Sequence, residues 1–234
     1  MLNNKPRLQA VESLVPEGAR LLDIGADHGL LPLALIARGE IAGALLTDVN
    51  KGPLAACQRN AAVCCPDKMN LISFALSNGF EKVEKDSYDF VTICGMGGEL
   101  IARIISEGGE KAHVPMVLQP MSHHEKLREF LWKNGYRIVK ELYPKEEDRV
   151  YLVMQVVYKG KPGRFLKVES YLGKKAYKTT AYYAYCSTVA RAAQKRYNGA
   201  VLSDNKKEIN LCKRIIEEAN KRSAPLVADS KVDC

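Results

Sequence analysis

Long hydrophobic runs are missing from this 234-residue chain: no apolar stretch approaches the roughly 20 residues needed to cross a bilayer, which excludes a spanning helix. The opening residues, MLNNKPRLQA, lack the apolar segment of a secretory signal, so a cytoplasmic protein without a membrane partner is expected. Seven cysteines at positions 57, 64, 65, 94, 186, 212 and 234 form no CxxC pair, and their number is odd. A disulfide framework and a zinc-binding pattern are both excluded by that spacing, and a reducing compartment accounts for it. The doublet His123-His124 has no third ligand nearby in sequence, so no metal is expected. The GxGxxG fingerprint is also absent, because the loop after the first apolar run carries only Gly25 and Gly29, and no Walker lysine follows. A cradle for cofactor phosphates is therefore not expected.

What is present is a globular composition, 47% hydrophobic and 26% charged, with a net charge of +8. The charge is unevenly placed. Residues 1–158 hold 18 Lys and Arg against 20 Asp and Glu, a net −2, whereas residues 159–234 hold 17 against 7, a net +10. Cations concentrated in this way attract a polyanion and release its counterions, which makes nucleic acid the leading partner class and an anionic membrane surface the next.

Apolar runs ending in acids or glycines alternate with helical patterns over the first two thirds. Strands are predicted at 20–25, 43–49, 70–75, 88–94, 114–120, 137–143 and 149–158, and helices at 30–38, 53–63, 99–107 and 123–134. Such alternation implies an α/β fold, a Rossmann-like and mostly parallel sheet of seven strands with the last pair antiparallel. After Gly160, Pro162 and Gly163 the pattern turns basic and helical over 165–197 and 204–222, as expected for a C-terminal helical hairpin. The predicted division is residues 1–160, residues 164–222, and a tail at 223–234.

In parallel sheets ligands bind at the carboxyl ends of the strands. Asp23, Gly25, Ala26, Asp27 and His28 follow the first strand, and Asp48 and Val49 end the second. With no phosphate cradle, S-adenosylmethionine is the better candidate. Gly25 permits close backbone approach to its methionine moiety, and carboxylates suit its amino group and ribose. Asp48 is the candidate for the ribose hydroxyls, although an acid so placed also serves NAD enzymes. Asn78 and Gly79 end the third strand, where an amide side chain can meet an adenine amino group. Gly95, Met96, Gly97 and Gly98 close the fourth strand, and three glycines in four are better explained by a flat ligand against the backbone than by a tight turn. Gln119 and Pro120 end the fifth strand on the same rim, where Gln119 is a candidate reader of an adenine edge.

The stretches DIGADHGLLP (23–32), LTDVN (46–50), SNGF (77–80), ICGMGGELI (93–101) and LQPMSHHEKLREFLWKNGY (118–136) resemble the TrmK family of bacterial tRNA (adenine-22, N1)-methyltransferases. The resemblance covers about residues 5–158. It implies a class I methyltransferase fold, S-adenosylmethionine as methyl donor, a tRNA adenine near the D-loop as acceptor, and a coiled-coil-like C-terminal hairpin that serves tRNA binding. Departures from the family pattern fall at Leu30, where a tyrosine is common, and at Asn78 and Met121.

In this reading Asp27 stabilises the cation that methylation leaves on the base, or holds the methionine amino group, and His28 orients Asp27 or contacts the base. Lys174, Lys175, Lys178, Arg191, Lys195 and Arg196, interleaved with tyrosines, are the candidate tRNA contacts. A monomer is expected. The competing readings are a small-molecule methyltransferase with a helical cap and a non-catalytic RNA-binding module.

Overall fold

The computed structural model describes residues 5–223, and the predicted tail lies almost wholly outside them. The described chain divides into two compact units after Phe165, a few residues beyond the predicted boundary at 160–164.

The first unit is built on a seven-stranded sheet. Its strands are β1 (Arg20–Ile24), β2 (Gly43–Asp48), β3 (Ile72–Leu76), β4 (Phe90–Gly97), β5 (Met116–Ser122), β6 (Tyr136–Leu142) and, after a short hairpin of β7 (Lys145–Glu146) and β8 (Arg149–Val150), β9 (Val153–Tyr158). The order across the sheet is β3-β2-β1-β4-β5-β9-β6. The first five strands pair in parallel, and β9 runs antiparallel to both β5 and β6. Chain order reverses between β1 and β4, so the crevice beyond their carboxyl ends is the switch point at which such sheets bind ligands. Leu21, Leu22 and Ile24 of β1 and Val91 and Ile93 of β4 are buried, as near-continuous apolar strands covered on both faces should be.

Helices α1 (Pro6–Glu12), α2 (Leu30–Arg38), α3 (Lys51–Cys64), α4 (Gly98–Gly108) and α5 (His124–Lys133) cover the sheet. α2 starts at Gly29 and stops at Gly39, both at positive φ, and the Gly39 and Glu40 N–H groups return to the Ile36 and Leu35 carbonyls. Three expectations need correction. α1 precedes the first strand, where no element was predicted; Pro6 occupies its first turn and Val11 is its buried residue. The predicted strand 149–158 is broken at Tyr151–Leu152, because residues 145–150 fold back on themselves around Glu147 at φ 51°. The glycine turn is an irregular extension of β4, with its pairing to β5 shifting between Cys94 and Gly97.

The second unit contains α6 (Lys167–Leu172), α7 (Thr180–Leu202) and α8 (Lys206–Ser223). The single helix predicted for 165–197 is therefore two. Gly173 sits at φ 79°, and α7 restarts where Thr179 Oγ1 accepts the Tyr182 N–H at 3.2 Å. α7 and α8 form the predicted hairpin around Cys186, Ala193, Cys212, Ile215 and Ala219. Arg222 stitches its base together, donating to the Gly173 carbonyl at 2.8 Å and to Glu218 at 2.7 Å.

Candidate active site

The loop between β1 and α2 is held by two neighbouring elements, β2 and α3. Thr47 of β2 accepts the Gly25 and Ala26 N–H groups through its carbonyl, at 2.8 and 3.0 Å. Cys57 and Asn60 of α3 donate to the carbonyls of Asp27 and His28, each at 2.9 Å. Asp27 adopts φ 52°, a left-handed conformation that costs a non-glycine residue energy and persists only where its surroundings enforce it. Its carboxylate stands out from the loop, 72% exposed, and the 59% exposed His28 ring lies 3.6 Å away, beyond hydrogen-bonding distance. Gly25 adopts φ 73°, a left-handed conformation that strains any side chain, and the Met96 methyl group lies where its Cβ would be.

A cleft of about 530 Å3 opens beside this loop, within the range of about 300–1,000 Å3 usual for small-molecule sites. Gly25, Asp27, Asp48, Val49, Asn78, Gly79, Gly95 and Met96, all anticipated, line it together with Leu100, Arg103 and Ile104 of α4. Asp48 is buried, and one of its carboxylate oxygens accepts the Asn50 N–H at 2.8 Å. Ser77 braces the next turn by donating to the Gly79 carbonyl and accepting the Lys82 N–H. A smaller hollow of about 240 Å3 adjoins the cleft. The two share Gly25, Asp27, Cys94 and Gly95, and the smaller is lined besides by Asp23, His28, Leu30 and the side of α1 that carries Arg7 and Leu8.

Asp23 lies at the floor of the smaller hollow, where burial pushes its carboxyl up to about 6 against the hydrogen bond that Thr92 Oγ1 donates at 2.6 Å. A buried acid of this kind favours a cationic partner, and a ligand ammonium fits that requirement. Burial also raises the thiols of Cys57, to about 12, and of Cys94, so neither is a nucleophile at neutral pH. His124 is pushed down to about 4 by burial and then by the charge of Arg128. Among the described residues no three His, Cys, Asp or Glu are grouped as a metal would need.

Not every anticipated residue joins the cleft. Gln119 is fully buried: its Oε1 accepts from Arg7 Nη1 at 2.7 Å and from the Gly95 N–H at 3.1 Å, while its Nε2 donates to Pro120. It cannot read a base edge, and Pro120 is buried beside it. Gly98 corrects the reading of the glycine turn. A Cβ there would strike the backbone of Ser122 and His123, so this glycine serves the close approach of two turns. Gly95, at φ 77° with open space at its Cβ position, lines both hollows. In the helical unit Arg196 is not free for an external phosphate. Its Nε donates to Glu208 at 2.9 Å and its Nη1 to the Tyr171 hydroxyl at 3.0 Å. Arg191 and Lys195 lie exposed on α7, and Lys174, Lys175 and Lys178 lie exposed in the loop before it. Tyr182 and Tyr185 are core residues whose hydroxyls bond the Leu172 and Tyr171 carbonyls.

Thr47, Cys57, Asn60, Thr92 and Arg7 also hold the site and were not anticipated; of these only Thr47 stands within one of the motifs. The one available signal was the polar Thr92 within the apolar run VTIC.

Residues 4–154 match the family model of a methyltransferase domain. The tRNA (adenine(22)-N(1))-methyltransferase of Bacillus subtilis is 34% identical over 153 residues, which are 63% of this chain and 62% of that protein. The chain belongs to the TrmK family of methyltransferases. The match thus spans less than two thirds of that curated relative's length. In structure, the Bacillus subtilis TrmK superimposes with a TM-score of 0.81 at 25% identity, covering 96% of this TrmK-family chain and all of the other. A Streptococcus pneumoniae protein solved with S-adenosyl-L-methionine bound superimposes at 0.78 with 29% identity, over 95% of this chain and 100% of that one.

Proposed function

We propose that the protein transfers a methyl group from S-adenosylmethionine to N1 of adenine 22 in the D-loop region of tRNA. The observation that carries this reading is the pair of hollows meeting at Gly25, Asp27, Cys94 and Gly95, the larger for the nucleoside of the donor and the smaller for its methionine end and for the acceptor that meets it. The names of the relatives supply the acceptor. The cofactor fits the residues present. Asp48 offers its carboxylate to vicinal ribose hydroxyls, the exposed Asn78 amide an adenine edge, and the buried Asp23 a counter-charge for an ammonium.

Bound there, S-adenosylmethionine supplies a methyl group on a sulfonium, an electrophile whose sulfur leaves with the bonding electron pair. Neutral adenine carries an available lone pair on N1, so the protein need not remove a proton first. Its task is to align the two reacting atoms, which can account for most of the acceleration. The product base carries a positive charge, and the Asp27 carboxylate at the junction of the hollows is the group that stabilises it. His28, beside Asp27, contacts the base or orients the carboxylate. Leu30, where the family favours tyrosine, gives the smaller hollow an aliphatic wall.

Lys174, Lys175, Lys178, Arg191 and Lys195 are the proposed phosphate contacts, and the base must be unstacked from the tRNA before it reaches the hollow. No disulfide joins the six described cysteines, which supports action in the reducing cytoplasm. A monomer belongs to the same proposal. The test is transfer from labelled S-adenosylmethionine to unmodified bacterial tRNA, with nucleoside analysis. N1-methyladenosine should form and should be lost in Asp23→Ala and Asp48→Ala. Cofactor binding without any label in RNA would favour a small-molecule acceptor instead.

A further inference from the structure

Arg7 stands outside every sequence motif, yet three separated parts of the first unit converge on it. Its backbone N–H donates to Glu146 Oε1 of β7 at 2.8 Å, and its Nε lies 3.9 Å from the same oxygen. Its guanidinium carbon is 5.4 Å from the centre of the Tyr151 ring, which Arg149 also approaches, at 4.9 Å. Its Nη1 reaches Gln119 Oε1 at 2.7 Å. The side chain is only 16% exposed, and the exposed part faces the smaller hollow.

The bond to Gln119 has a directional consequence. A guanidinium has donors and no acceptor, and so has the Gly95 N–H. Both point at the same end of the Gln119 amide, so that end must be the oxygen; the other end donates to the Pro120 carbonyl at 3.1 Å and to Met121 Sδ at 3.4 Å. Without Arg7 the amide loses the stronger of the two donors that fix its orientation, and a flipped amide would set its NH2 against the Gly95 N–H. Gly95 lies in the wall common to both hollows and holds a left-handed φ of 77°.

We propose that Arg7 is a positioning residue for methyl transfer, acting through Gln119 to hold the Gly95 turn in the shape that both donor and acceptor require. The inference rests on the two hollows of the proposed function. It makes α1 part of the active site. Gln119 becomes a relay within the protein, which explains a fully buried glutamine at the end of a central strand.

The test compares Arg7→Ala, Arg7→Lys, Gln119→Ala and the double variant Arg7→Ala/Gln119→Ala. The readouts are S-adenosylhomocysteine affinity by calorimetry, kcat and KM on a tRNA transcript, and thermal melting. Each alanine variant should weaken S-adenosylhomocysteine binding, and lower kcat/KM for the cofactor, by about tenfold. The double variant should be no worse than about threefold beyond either single one, because both break the same link. Arg7→Lys, which keeps a donor, should recover most of the loss. Two results overturn the proposal. One is a double variant whose losses multiply to about a hundredfold, which would mean that Arg7 acts on a ligand directly. The other is single variants that melt earlier but bind and turn over as the wild type does. If the wild type binds S-adenosylhomocysteine and methylates no tRNA, the acceptor assignment fails, and the affinity measurements still decide the role of Arg7.

Discussion

The sheet unit and the helical unit place their marked residues by different rules. In the first, a motif residue follows the end of a parallel strand, and all strand ends of one direction emerge on one rim, so Asp27, Asp48, Asn78 and Gly95 meet although 68 residues separate the first from the last. In the second, a basic residue on an amphipathic helix faces a neighbouring helix or solvent according to its position around the axis. Arg191, Lys195 and Arg196 are all exposed, but Arg196 alone of the three is shown paired with an acid, Glu208, and bonds Tyr171 as well. Strand ends fix function by location, and helix faces divide a uniform charge pattern into structural and available halves.

The largest expected effect lies in the first unit. Asp48→Ala removes a buried carboxylate proposed to take two ribose hydroxyls and should weaken S-adenosylhomocysteine binding about 100-fold in calorimetry. An undiminished affinity would remove Asp48 from the cofactor site and break the rule that motif residues at strand ends share a ligand.

A pH dependence should follow from Asp23. Its carboxyl is raised to about 6 in the folded protein from 3.8, so below about pH 6 the free protein holds a proton there that an ammonium ligand must displace. Affinity should therefore fall about tenfold from pH 7 to pH 5, and Asp23→Asn should flatten that slope. The same shift makes the protonated acid the more stable folded form. Its stabilising contribution is complete below about pH 4 and is lost as pH rises through about 6. At pH 7.5 the ligand-free Asp23→Asn protein should accordingly melt above the wild type in calorimetry, while binding the cofactor less tightly.

Smaller effects are expected in the helical unit. Replacing Lys178, Arg191 and Lys195 together by alanine should raise the Kd for tRNA several-fold and reduce the slope of log Kd against log salt by about one for each phosphate no longer neutralised. Arg196→Ala, adjacent in sequence, should leave that slope unchanged and cost about 1 kcal/mol or less in thermal unfolding, as expected for a half-exposed pair. A salt slope that responds to Arg196 as strongly as to Arg191 would erase the division between paired and available cations.

The strands, the switch point and most of the cleft were legible because a parallel sheet ties sequence position to place. Asp23, Gly25 and Asp48 could be picked out from the ends of apolar runs alone, and they line the two hollows. Gln119 misled because a polar residue at a strand end looks the same whether it faces a ligand or a buried arginine, and its partner Arg7 is 112 residues away. The break at Gly173 was hidden among residues with helical spacing, since one positive φ and a threonine cap leave little trace in composition. Gly98 carried no mark that distinguished it from Gly95; only the approach of the Ser122–His123 backbone separates their roles.

The most direct test of the central claim is methyl transfer to two tRNA transcripts that differ only at nucleotide 22, adenine in one and guanine in the other. The account expects close to one methyl group per molecule on the first, recovered as N1-methyladenosine, and none on the second. Equal labelling of both transcripts, or labelling of neither by protein that binds S-adenosylhomocysteine, would contradict it.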